Sequence, residues 1–457
     1  MTDSSTSGKM TWRFPRFFWV ANSIELFERA AYYGMFITLT LYLTREVGFT
    51  DIETGWVTAF FAGFIYFAPM FTGAIADKIG FRNALIIAFS LLFAGYALLG
   101  ALQIKLTAIF SLFLILTGGG FVKSCITGTV AKASDSANRA RAYSLFYQVV
   151  NIGAFLGKTV AKPLRTELGL KYINFYSASM AFVALIIVIF LFKNIDREGA
   201  GKSIGETLKG LLRVFTNIRF MILIFITAGF WSIQGQLYAT MPKYALRMIG
   251  ESAAPEWLAN INPFMVVIFV VPITQMVRKI SPVSSIAISL LIIPLSALSV
   301  SLSPVLQEVT GRSVSFGIFS LHPITVMLII GIALQGLAEC FLSPRYLEFA
   351  SKQAPSDQVG LYMGYAHLNT FFAWLFGFII SGYLLDAFCP DPTTLPAPVQ
   401  ELYHAALSGD ASMPEIYAHA HYIWYVFAGI GVFAFSCLLV FRHVTARIDR
   451  QELESNQ

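Results

Sequence analysis

Charged side chains are scarce in this sequence. Asp, Glu, Lys and Arg make up 13% of the 457 residues, whereas hydrophobic residues make up 56%. Soluble domains carry roughly twice that charged fraction, so the composition excludes an ordinary string of soluble domains. The four cysteines show no regular spacing, and no disulfide framework is expected. Residues 1–16 lack an apolar core followed by a cleavage site, which predicts a retained tail instead of a signal peptide.

The sequence also lacks the residue patterns of enzymes and metalloproteins. It shows no nucleophile placed with a base and no metal-ligand spacing of His, Cys, Asp and Glu. The run Gly118–Gly120 is not followed by the Gly-Lys-Ser/Thr of a phosphate loop, and close helix packing is its expected role. We therefore expect no catalytic activity, no metal and no cofactor.

Long apolar stretches are abundant instead. A helix needs about 20 apolar residues to cross a bilayer core of about 30 Å, and twelve stretches approach or exceed this length. Their approximate bounds are 17–43, 53–75, 83–103, 106–131, 141–163, 172–192, 218–242, 257–277, 283–303, 323–344, 359–385 and 421–441. The sequence thus predicts an all-α polytopic membrane protein with 12 transmembrane helices.

The link after the sixth span divides the chain. Apolar residues recur at helical spacing from Ile204 to Phe215, with Lys209 and Arg213 between them, which predicts an amphipathic helix on the membrane surface. The predicted parts are an N-terminal tail, a six-helix bundle, a linker, a second six-helix bundle and a C-terminal tail. Their bounds are 1–16, 17–193, 194–217, 218–442 and 443–457.

Lys and Arg are distributed unevenly over the tails and loops. With a cytoplasmic N-terminus, 21 of them lie inside and 8 outside. Cytoplasmic loops normally carry this excess, so we predict a cell-membrane protein with both termini in the cytoplasm. The outer loop 386–418 has no Lys or Arg. The net charge of +6 follows from this topology, and nucleic-acid binding is not expected.

The loop between spans two and three is Gly73-Ala-Ile-Ala-Asp77-Lys-Ile-Gly80-Phe-Arg82. It resembles the loop motif of the major facilitator superfamily, Gly-x-x-x-Asp-Arg/Lys-x-Gly-x-Arg. The resemblance implies two six-helix halves around a central cavity that opens to each side in turn. The glycines suit a tight turn and close helix approach. Asp77 is expected to cap a helix and pair with a base when the inner face closes. A plain positive-inside loop is the alternative.

A few ionisable residues lie inside the predicted spans. They are Glu25, Glu28, Arg29, Lys123, Lys158 and Glu339. A charge at mid-bilayer costs about 2.5–3.5 kcal/mol on insertion scales, and such charges normally face a cavity or one another. In span one, helical spacing puts the three charged residues on one helix face, and Tyr32 and Phe36 lie on the same face. The alternative is a structural role, in which paired charges hold neighbouring helices together.

We expect the Lys158 side chain to snorkel to the membrane interface. The alternative is that Lys158 is a cation of the pocket or of a gate.

Span one resembles a longer motif. Its sequence Glu25-Leu-Phe-Glu28-Arg29-Ala-Ala-Tyr32-Tyr33-Gly is similar to the Glu-x-x-Glu-Arg-Phe-x-Tyr-Tyr-Gly motif of the proton-coupled oligopeptide transporter (POT/PTR) family. Four further segments resemble that family in the same order. They are Gly118 to Lys123, Phe146 to Gly153 with Tyr147 and Asn151, Asn262-Pro263, and Glu339 to Pro344 with the trailing Ala354-Pro355.

The resemblance implies a role for each matching residue. Arg29 and Lys123 would bind the C-terminal carboxylate of a peptide, and Glu339, helped by Asn262, its α-ammonium group. The remaining family positions would line the pocket, with Asn151 bonding a peptide carbonyl. They are Tyr32, Tyr33, Tyr147, Asn151 and Ser343.

Charges of both signs suit a zwitterionic dipeptide, because charge-assisted hydrogen bonds give affinity and register. The resemblance further implies that Glu25 and Glu28 pair with Arg29 and Lys123 and take up the proton. Protonation would release a cation for substrate, so proton and peptide movement would be linked. Trp374 of span eleven is a further candidate for the pocket, with packing as the alternative.

The sequence departs from the family at the outer gate. The family has an Arg where this chain has Phe36, and an acid in the span-seven segment that here contains Trp231 and Gln234. Loss of both partners is chemically coherent, because loss of one would leave the other unpaired. We expect an apolar or hydrogen-bonded outer gate formed by Phe36, Trp231 and Gln234, and the latter two are also pocket candidates.

The sequence thus predicts a monomeric symporter of protons and di- or tripeptides or peptide-like molecules. The alternative is the same scaffold carrying another small solute, such as an amino-acid derivative or organic anion, with weak proton coupling. A receptor or scaffold without transport is less favoured, because the sequence shows no large soluble domain.

Overall fold

The computed structural model describes residues 13–134, 139–193, 204–353 and 365–455. They form nineteen α-helices, numbered here in chain order, with short π- and 3-10-helical turns and one small hairpin. The helices of the first part are α1 Arg16–Arg45, α2 Asp51–Phe67, α3 Pro69–Ile79, α4 Phe81–Ala101, α5 Lys105–Lys132, α6 Arg139–Pro163, α7 Leu170–Leu191 and α8 Ile204–Phe215. The π-helical turn Leu164–Leu168 follows α6.

The second part of the chain continues the same helical pattern. Its helices are α9 Ile218–Gln234, α10 Gln236–Ala239, α11 Met241–Ile249, α12 Pro255–Leu258, α13 Ile261–Met276, α14 Pro282–Ser301, α15 Ser303–Thr310, α16 Pro323–Gln353, α17 Leu368–Phe388, α18 Ala397–Ser408 and α19 Tyr422–Ser455. Strands β1 (Val314–Ser315) and β2 (Ser320–Leu321) pair antiparallel between α15 and α16. The 3-10 turns are Val277–Lys279, Pro392–Thr394 and Glu415–Tyr417.

In the part of the chain that the structure describes, every predicted span lies mainly on helices. Nine described helices are long and apolar enough to cross a bilayer, and α2 with α3 forms a further span bent by 48°. The predicted spans on α1 and α6 are helical too, but these helices carry several charged residues and are not counted among the apolar ones. The predicted amphipathic helix is α8. The beginning of span eleven and the pair Ala354-Pro355 lie outside the described residues.

The chain divides into two compact units. Unit 1 comprises Met1–Met35 and Ala68–Thr207, and unit 2 comprises Phe36–Phe67 and Leu208–Gln457. The C-terminal part of α1 and all of α2 therefore belong to the same unit as most of the second half of the sequence. The packing of α2 on α17, described below, contributes to this assignment.

In unit 1, glycines of α6 pack against the backbone of α1. A Cβ atom at Gly157 would clash with the carbonyl oxygen of Ala30, and one at Gly153 would lie 2.7 Å from the Cβ of Arg29. Small residues at helix contacts let backbones approach closely in membranes. The side chains next to these glycines on α6 are thereby held at a fixed position beside α1.

In unit 2, α2 packs closely against α17. A Cβ atom at Gly55 would lie 2.8 Å from the carbonyl oxygen of Phe378, and one at Gly382 would lie 2.7 Å from that of Asp51. The first turn of α2 is thereby fixed against the outer part of α17, and Asp51 is buried there.

Candidate functional site

The charges of α1 form a buried cluster in unit 1. Arg29 Nε lies 3.0 Å from Glu25 Oε1, and Arg29 also pairs with Glu28. All three side chains are buried. The spacing on the helix accounts for the Glu25–Arg29 pair, because residues four apart lie on the same face. One guanidinium is thus shared by two carboxylates, whereas the family resemblance implied that Glu25 and Glu28 pair with Arg29 and Lys123.

Lys123 of α5 belongs to the same electrostatic cluster. It is half-buried and interacts electrostatically with Arg29, Glu28 and Glu25. Tyr96 of α4 is fully buried and within electrostatic range of Glu28 and Arg29. The sequence patterns do not single out Tyr96, because a tyrosine in an apolar span is ordinarily a core residue.

The two tyrosines of α1 extend the cluster. The guanidinium carbon of Arg29 lies 5.6 Å from the ring centroid of Tyr32, and the Tyr32 and Tyr33 rings meet edge to face at 5.2 Å. On the other side, Nζ of Lys158 lies 5.7 Å from the centroid of Tyr33. The aromatic pair is therefore flanked by a cation at each end.

The predicted snorkelling of Lys158 is wrong. Its side chain is 1% exposed, so the ammonium group does not reach the protein surface. Lys158 follows Gly157, which packs on the backbone of α1, and this contact directs the lysine to Tyr33. The alternative that the sequence left open, a cation of the pocket or gate, is consistent with this position.

Two predicted pocket residues of α6 are less buried. Tyr147 is exposed, and Asn151 is half-buried and donates to the Tyr147 carbonyl oxygen over 2.8 Å. Both lie in unit 1 on the same helix as Gly153, which packs on Arg29, with Asn151 two residues and Tyr147 six residues before that glycine.

In unit 2, the predicted partnership of Asn262 and Glu339 is present. The Asn262 amide donates to Glu339 Oε2 over 3.4 Å. Close packing of α13 on α16 supports this contact, since a Cβ atom at Gly336 would lie 3.0 Å from the Asn262 carbonyl oxygen. Gln335, which is buried, and Ser343, which is half-buried, lie one turn to either side of Glu339 on α16.

Phe36 lies in an aromatic cluster of unit 2. Its ring is stacked 5.5 Å from Trp374 and lies 4.8 Å from Tyr238. Phe61 and Phe378 are the next rings, at 6.1 and 6.2 Å. The expected apolar contact around Phe36 is therefore made with side chains of α2, α10 and α17. Trp231 is half-buried and packs edge to face on Phe230.

Two buried polar atoms near this cluster have no partner. Among the described residues, Gln234 Oε1 and Trp374 Nε1 form no hydrogen bond. Both side chains are buried, and a Cβ atom at Gly235 would lie 3.1 Å from Trp374 Nε1. An unpaired buried polar group is costly, so these two atoms are available to a ligand or to water.

A buried ion cluster lies at the start of α2. Lys243 Nζ lies 2.6 Å from Asp51 Oδ1, and Arg247 contacts both oxygens of Asp51 at 2.7 and 3.1 Å. Arg247 also contacts Asp391 Oδ2 at 3.0 Å and donates to the Cys389 carbonyl oxygen. Buried ion pairs therefore join α2 and α11, and the sequence-based expectation for the outer gate did not include them.

The sequence contained a signal for this cluster. Lys243 and Arg247 are four residues apart and share a helix face, and Asp51 begins the span that follows the Phe36 region. In the predicted topology both bases belong to the eight Lys and Arg residues on the outer side. The pairing of Asp51 with bases 192 and 196 residues away needs the tertiary structure.

Burial and pairing change the protonation of this cluster. Burial lowers the pKa of Lys243 to about 8, in spite of Asp51. Burial alone would raise the pKa of Asp391, but Arg247 and the hydrogen bonds from Thr393 hold it below its usual range. Burial alone would lower the pKa of Arg247, but its interactions with Asp51 and Asp391 contribute to a net rise. At neutral pH all these groups are charged, with Lys243 the nearest to its titration.

Gly73 and Gly80, both in the loop predicted as the inner gate, each have a structural role. Gly80 ends α3 with φ 86°, and a Cβ atom at Gly73 would lie 3.2 Å from Ser124 Oγ of α5. Arg82 donates to the carbonyl oxygens of Phe192 and Ile189 over 3.1 and 2.8 Å, and so caps the end of α7. Asp77 lies exposed within α3, near its C-terminal end.

The charges of α1 and α5 are thus brought together in unit 1, and Glu339 with Asn262 in unit 2. Within the described residues, no group of three His, Cys, Asp or Glu side chains could hold a metal ion.

Comparisons with known sequences place this arrangement in a family. The model of the Major Facilitator Superfamily matches residues 23–311. Dipeptide and tripeptide permease A of Escherichia coli is 24% identical over 85% of this chain and 88% of its own length. The permease of the same name from Erwinia pyrifoliae is 25% identical over 50% of this chain, and the alignment spans 46% of that relative.

Solved structures show the same fold. A peptide transporter POT in complex with sulfate aligns with a TM-score of 0.71 at 20% identity, covering 95% of each chain. A POT family transporter in complex with 5-aminolevulinic acid aligns with a TM-score of 0.72 at 18% identity, covering 95% of this chain and 97% of the other. With its apolar spans, motif loop and matched family model, this multi-pass membrane protein belongs to the major facilitator superfamily.

Proposed function

We propose that this protein is a proton-coupled symporter of di- and tripeptides or peptide-like molecules, working by alternating access. The observation that carries the proposal is the buried triplet of Glu25, Arg29 and Glu28. An ion pair that only holds helices together needs one acid for one base. Where two carboxylates share one guanidinium, one acid can accept a proton while the other still pairs with Arg29, so the buried cation is not left unpaired.

Substrate binding follows from the same triplet. Arg29 and Lys123 bind the carboxylate of the peptide when Glu25 or Glu28 is protonated. Glu339, oriented by Asn262, binds the ammonium group. The tyrosines and Asn151 line the pocket, as do Ser343, Trp231, Gln234 and Trp374. Their polar atoms bond the peptide, and the unpaired Gln234 Oε1 and Trp374 Nε1 support this part of the proposal.

Gating uses two ends of the molecule. At the outer end, the Asp51–Lys243–Arg247–Asp391 cluster and the rings around Phe36 hold α2 on α11 and α17 when that end is closed. At the inner end, the loop with Gly73, Asp77, Gly80 and Arg82 forms the gate. Both termini are cytoplasmic, and the protein functions as a monomer in the cell membrane. It is a transporter and not an enzyme.

One observation favours a second candidate. Phe36 stands where the resembled family has Arg, and the span-seven segment around Trp231 has no acid. A carrier of amino-acid derivatives, with weak proton coupling, is the second candidate. One of the solved structures that resemble this chain is a POT family transporter in complex with 5-aminolevulinic acid.

Ligand-dependent thermal unfolding of the purified protein separates the two candidates. A ligand that binds the folded state raises the unfolding temperature by mass action. Dialanine is expected to stabilise the protein more than 5-aminolevulinic acid, and N-acetyl-dialanine amide, which lacks both charges, is expected to have no effect. Glu339→Gln should abolish stabilisation by dialanine. Stabilisation by 5-aminolevulinic acid alone would favour the second candidate, and equal response to the uncharged peptide would reject the charge-based pocket.

A further inference from the structure

The hairpin between α15 and α16 has an unusually apolar tip. Its turn is Phe316-Gly317-Ile318-Phe319, closed by a hydrogen bond from the Phe316 amide to the Phe319 carbonyl oxygen over 2.9 Å. Turn positions normally carry Gly, Asn, Asp, Pro or Ser. Here only Gly317, with φ 85°, follows that rule. The three apolar side chains are all exposed, and Ile318 is 95% exposed.

The exposed apolar surface of the hairpin continues along the chain from a membrane span. Leu291 and Leu295 of α14 are exposed, as expected for a lipid-facing side of a span. Leu302, Val305 and Val309 continue the exposed apolar series through α15, and Val309 is 80% exposed. Apolar exposure of this kind ordinarily ends where a span leaves the bilayer. In this chain it extends through a helix and a hairpin that follow the span.

The other side of this segment contacts protein. Arg312, just before β1, donates to the carbonyl oxygens of Ala406 and Ala411 over 3.3 and 2.8 Å. These carbonyls belong to α18 and the turn that follows it, in the loop 386–418. Val314 and Leu321 are paired across the hairpin and half-buried. The segment therefore has one side fixed to the loop and an apolar tip with no covering residues among those described.

We propose that residues 302–321 form a lipid anchor, with the tip of the hairpin inserted into the headgroup and upper acyl region of the bilayer. The exposed apolar residues of this segment directly follow those of the membrane span α14 along the chain, and this points to lipid as the partner. Arg312 then ties the loop 386–418 to the anchor, so the loop is held at the membrane surface. This inference rests on the membrane embedding of α14 and is independent of the transported solute.

A site-specific fluorescent label tests the anchor in proteoliposomes. Cys437 is partly exposed and the other three cysteines are buried, so Cys437→Ser gives a background for single labels. An environment-sensitive maleimide dye is attached at Ile318→Cys. Phe433→Cys of α19, whose side chain is exposed within a span, is the lipid-facing control. Glu401→Cys, exposed on α18, is the water-facing control.

The expected result is quenching of the Ile318 label by nitroxide-labelled lipids and its protection from aqueous iodide. The label at Phe433 should behave alike, and the label at Glu401 should show the opposite pattern. Quenching of the Ile318 label by iodide, without quenching by lipid nitroxides, would overturn the proposal. Protection from both quenchers would also overturn it, since a second copy or another protein surface would then cover the tip.

Discussion

At the scale of single residues, the proposed coupling of a proton to a solute depends on the position of Arg29 between two carboxylates. Glu25 lies one turn before Arg29 on α1, and Glu28 is its neighbour in the chain. Both acids compete for one guanidinium, with Lys123 as a second cation within electrostatic range. Neutralising one acid leaves the other to hold Arg29, so the cluster can change charge without collapsing.

Glu28→Gln is therefore expected to separate binding from coupling. The variant should keep peptide exchange between the two sides at equal peptide concentration, and it should lose accumulation driven by a pH gradient by at least about tenfold, a change of about 1.4 kcal/mol in driving force. Uptake into proteoliposomes with and without the gradient measures this. Glu308→Gln, a change at an exposed carboxylate, is the matched control. Unchanged gradient-driven accumulation in Glu28→Gln would exclude the coupling role.

Lys158 gives a prediction about selectivity. Its buried ammonium lies against Tyr33, one turn along α1 from Arg29. A second cation there suits a peptide with an acidic side chain, and hydrogen bonds to charged groups contribute about 1.5–3 kcal/mol. Lys158→Met should lower the affinity for Ala-Glu at least about tenfold relative to dialanine.

Competition of each peptide against labelled dialanine measures this ratio. Lys171→Met is the matched control, because Lys171 also lies over a tyrosine ring but is exposed. Equal losses for both peptides in Lys158→Met would show that the lysine is structural and does not select the substrate.

At the scale of helices and loops, the outer ion cluster joins α2, α11 and the segment after α17. Asp51 holds two bases, and Arg247 holds Asp51 and Asp391. The polarity is the reverse of the family's Arg–acid pair, because here the acid is on the second span and the bases follow the seventh. We therefore expect closure of this end to depend on Asp51 more than on either base.

Removal of single partners should affect the cluster unequally. Asp51→Asn leaves two buried cations facing each other, and breaking a buried pair costs about 3–5 kcal/mol. Lys243→Met leaves the Asp51–Arg247 pair intact and should destabilise the closed form less than Asp51→Asn does. The double variant Asp51→Asn/Lys243→Met should recover part of the stability that Asp51→Asn loses. Reaction of buried Cys389 with a water-soluble maleimide, in the Cys437→Ser background, measures opening of this end.

Arg45→Gln is the control for that series. It removes the exposed Arg45–Glu251 pair, and exposed pairs contribute little, so Cys389 labelling should not change. If Asp51→Asn labelled no faster than Arg45→Gln, the ion cluster would not hold the outer end closed.

The titration of Lys243 predicts a pH dependence for the same opening. Burial lowers the pKa of Lys243 to about 8 in the closed cluster, and contact with water would restore its ordinary value of 10.5. Between these values the open form binds more protons than the closed form, so rising pH should favour the closed form. Below about 8 this lysine is protonated in both forms and contributes no pH dependence.

The measured quantity is the rate of Cys389 labelling in the parent divided by the rate in Lys243→Met. The pH dependence of thiol chemistry is common to both proteins and cancels in this ratio. This ratio should fall as the pH rises from about 8 toward 10.5. A ratio that stays constant across this interval would show that Lys243 does not change its charge on opening.

The sequence predicted some of these elements and missed others for physical reasons. The spans and the shared face of the α1 charges could be predicted from the sequence because apolar length and helical spacing are local properties. The Asn262–Glu339 contact came from the family resemblance and is present. The Asp51 cluster and the burial of Lys158 were missed, since the first joins distant residues and the second depends on Gly157 packing against α1.

At the scale of the whole molecule, the structure has two compact units, and α1 divides between them at Met35 and Phe36. The predicted division into two bundles of six helices stays a prediction. The charges proposed for proton and carboxylate lie in unit 1, and the proposed ammonium site lies in unit 2. A short zwitterion carries a carboxylate and an ammonium group, one for each of these two proposed sites, and this is the chemical basis for choosing it as substrate.

The most direct measurement of this proposal is uptake of labelled dialanine into proteoliposomes under an imposed pH gradient. With an acidic outside, dialanine should accumulate inside above its external concentration, a protonophore should abolish the accumulation, and Arg29→Met should show no uptake. Uptake that is absent in the parent protein, or that is indifferent to both the gradient and Arg29, would contradict proton-coupled peptide transport.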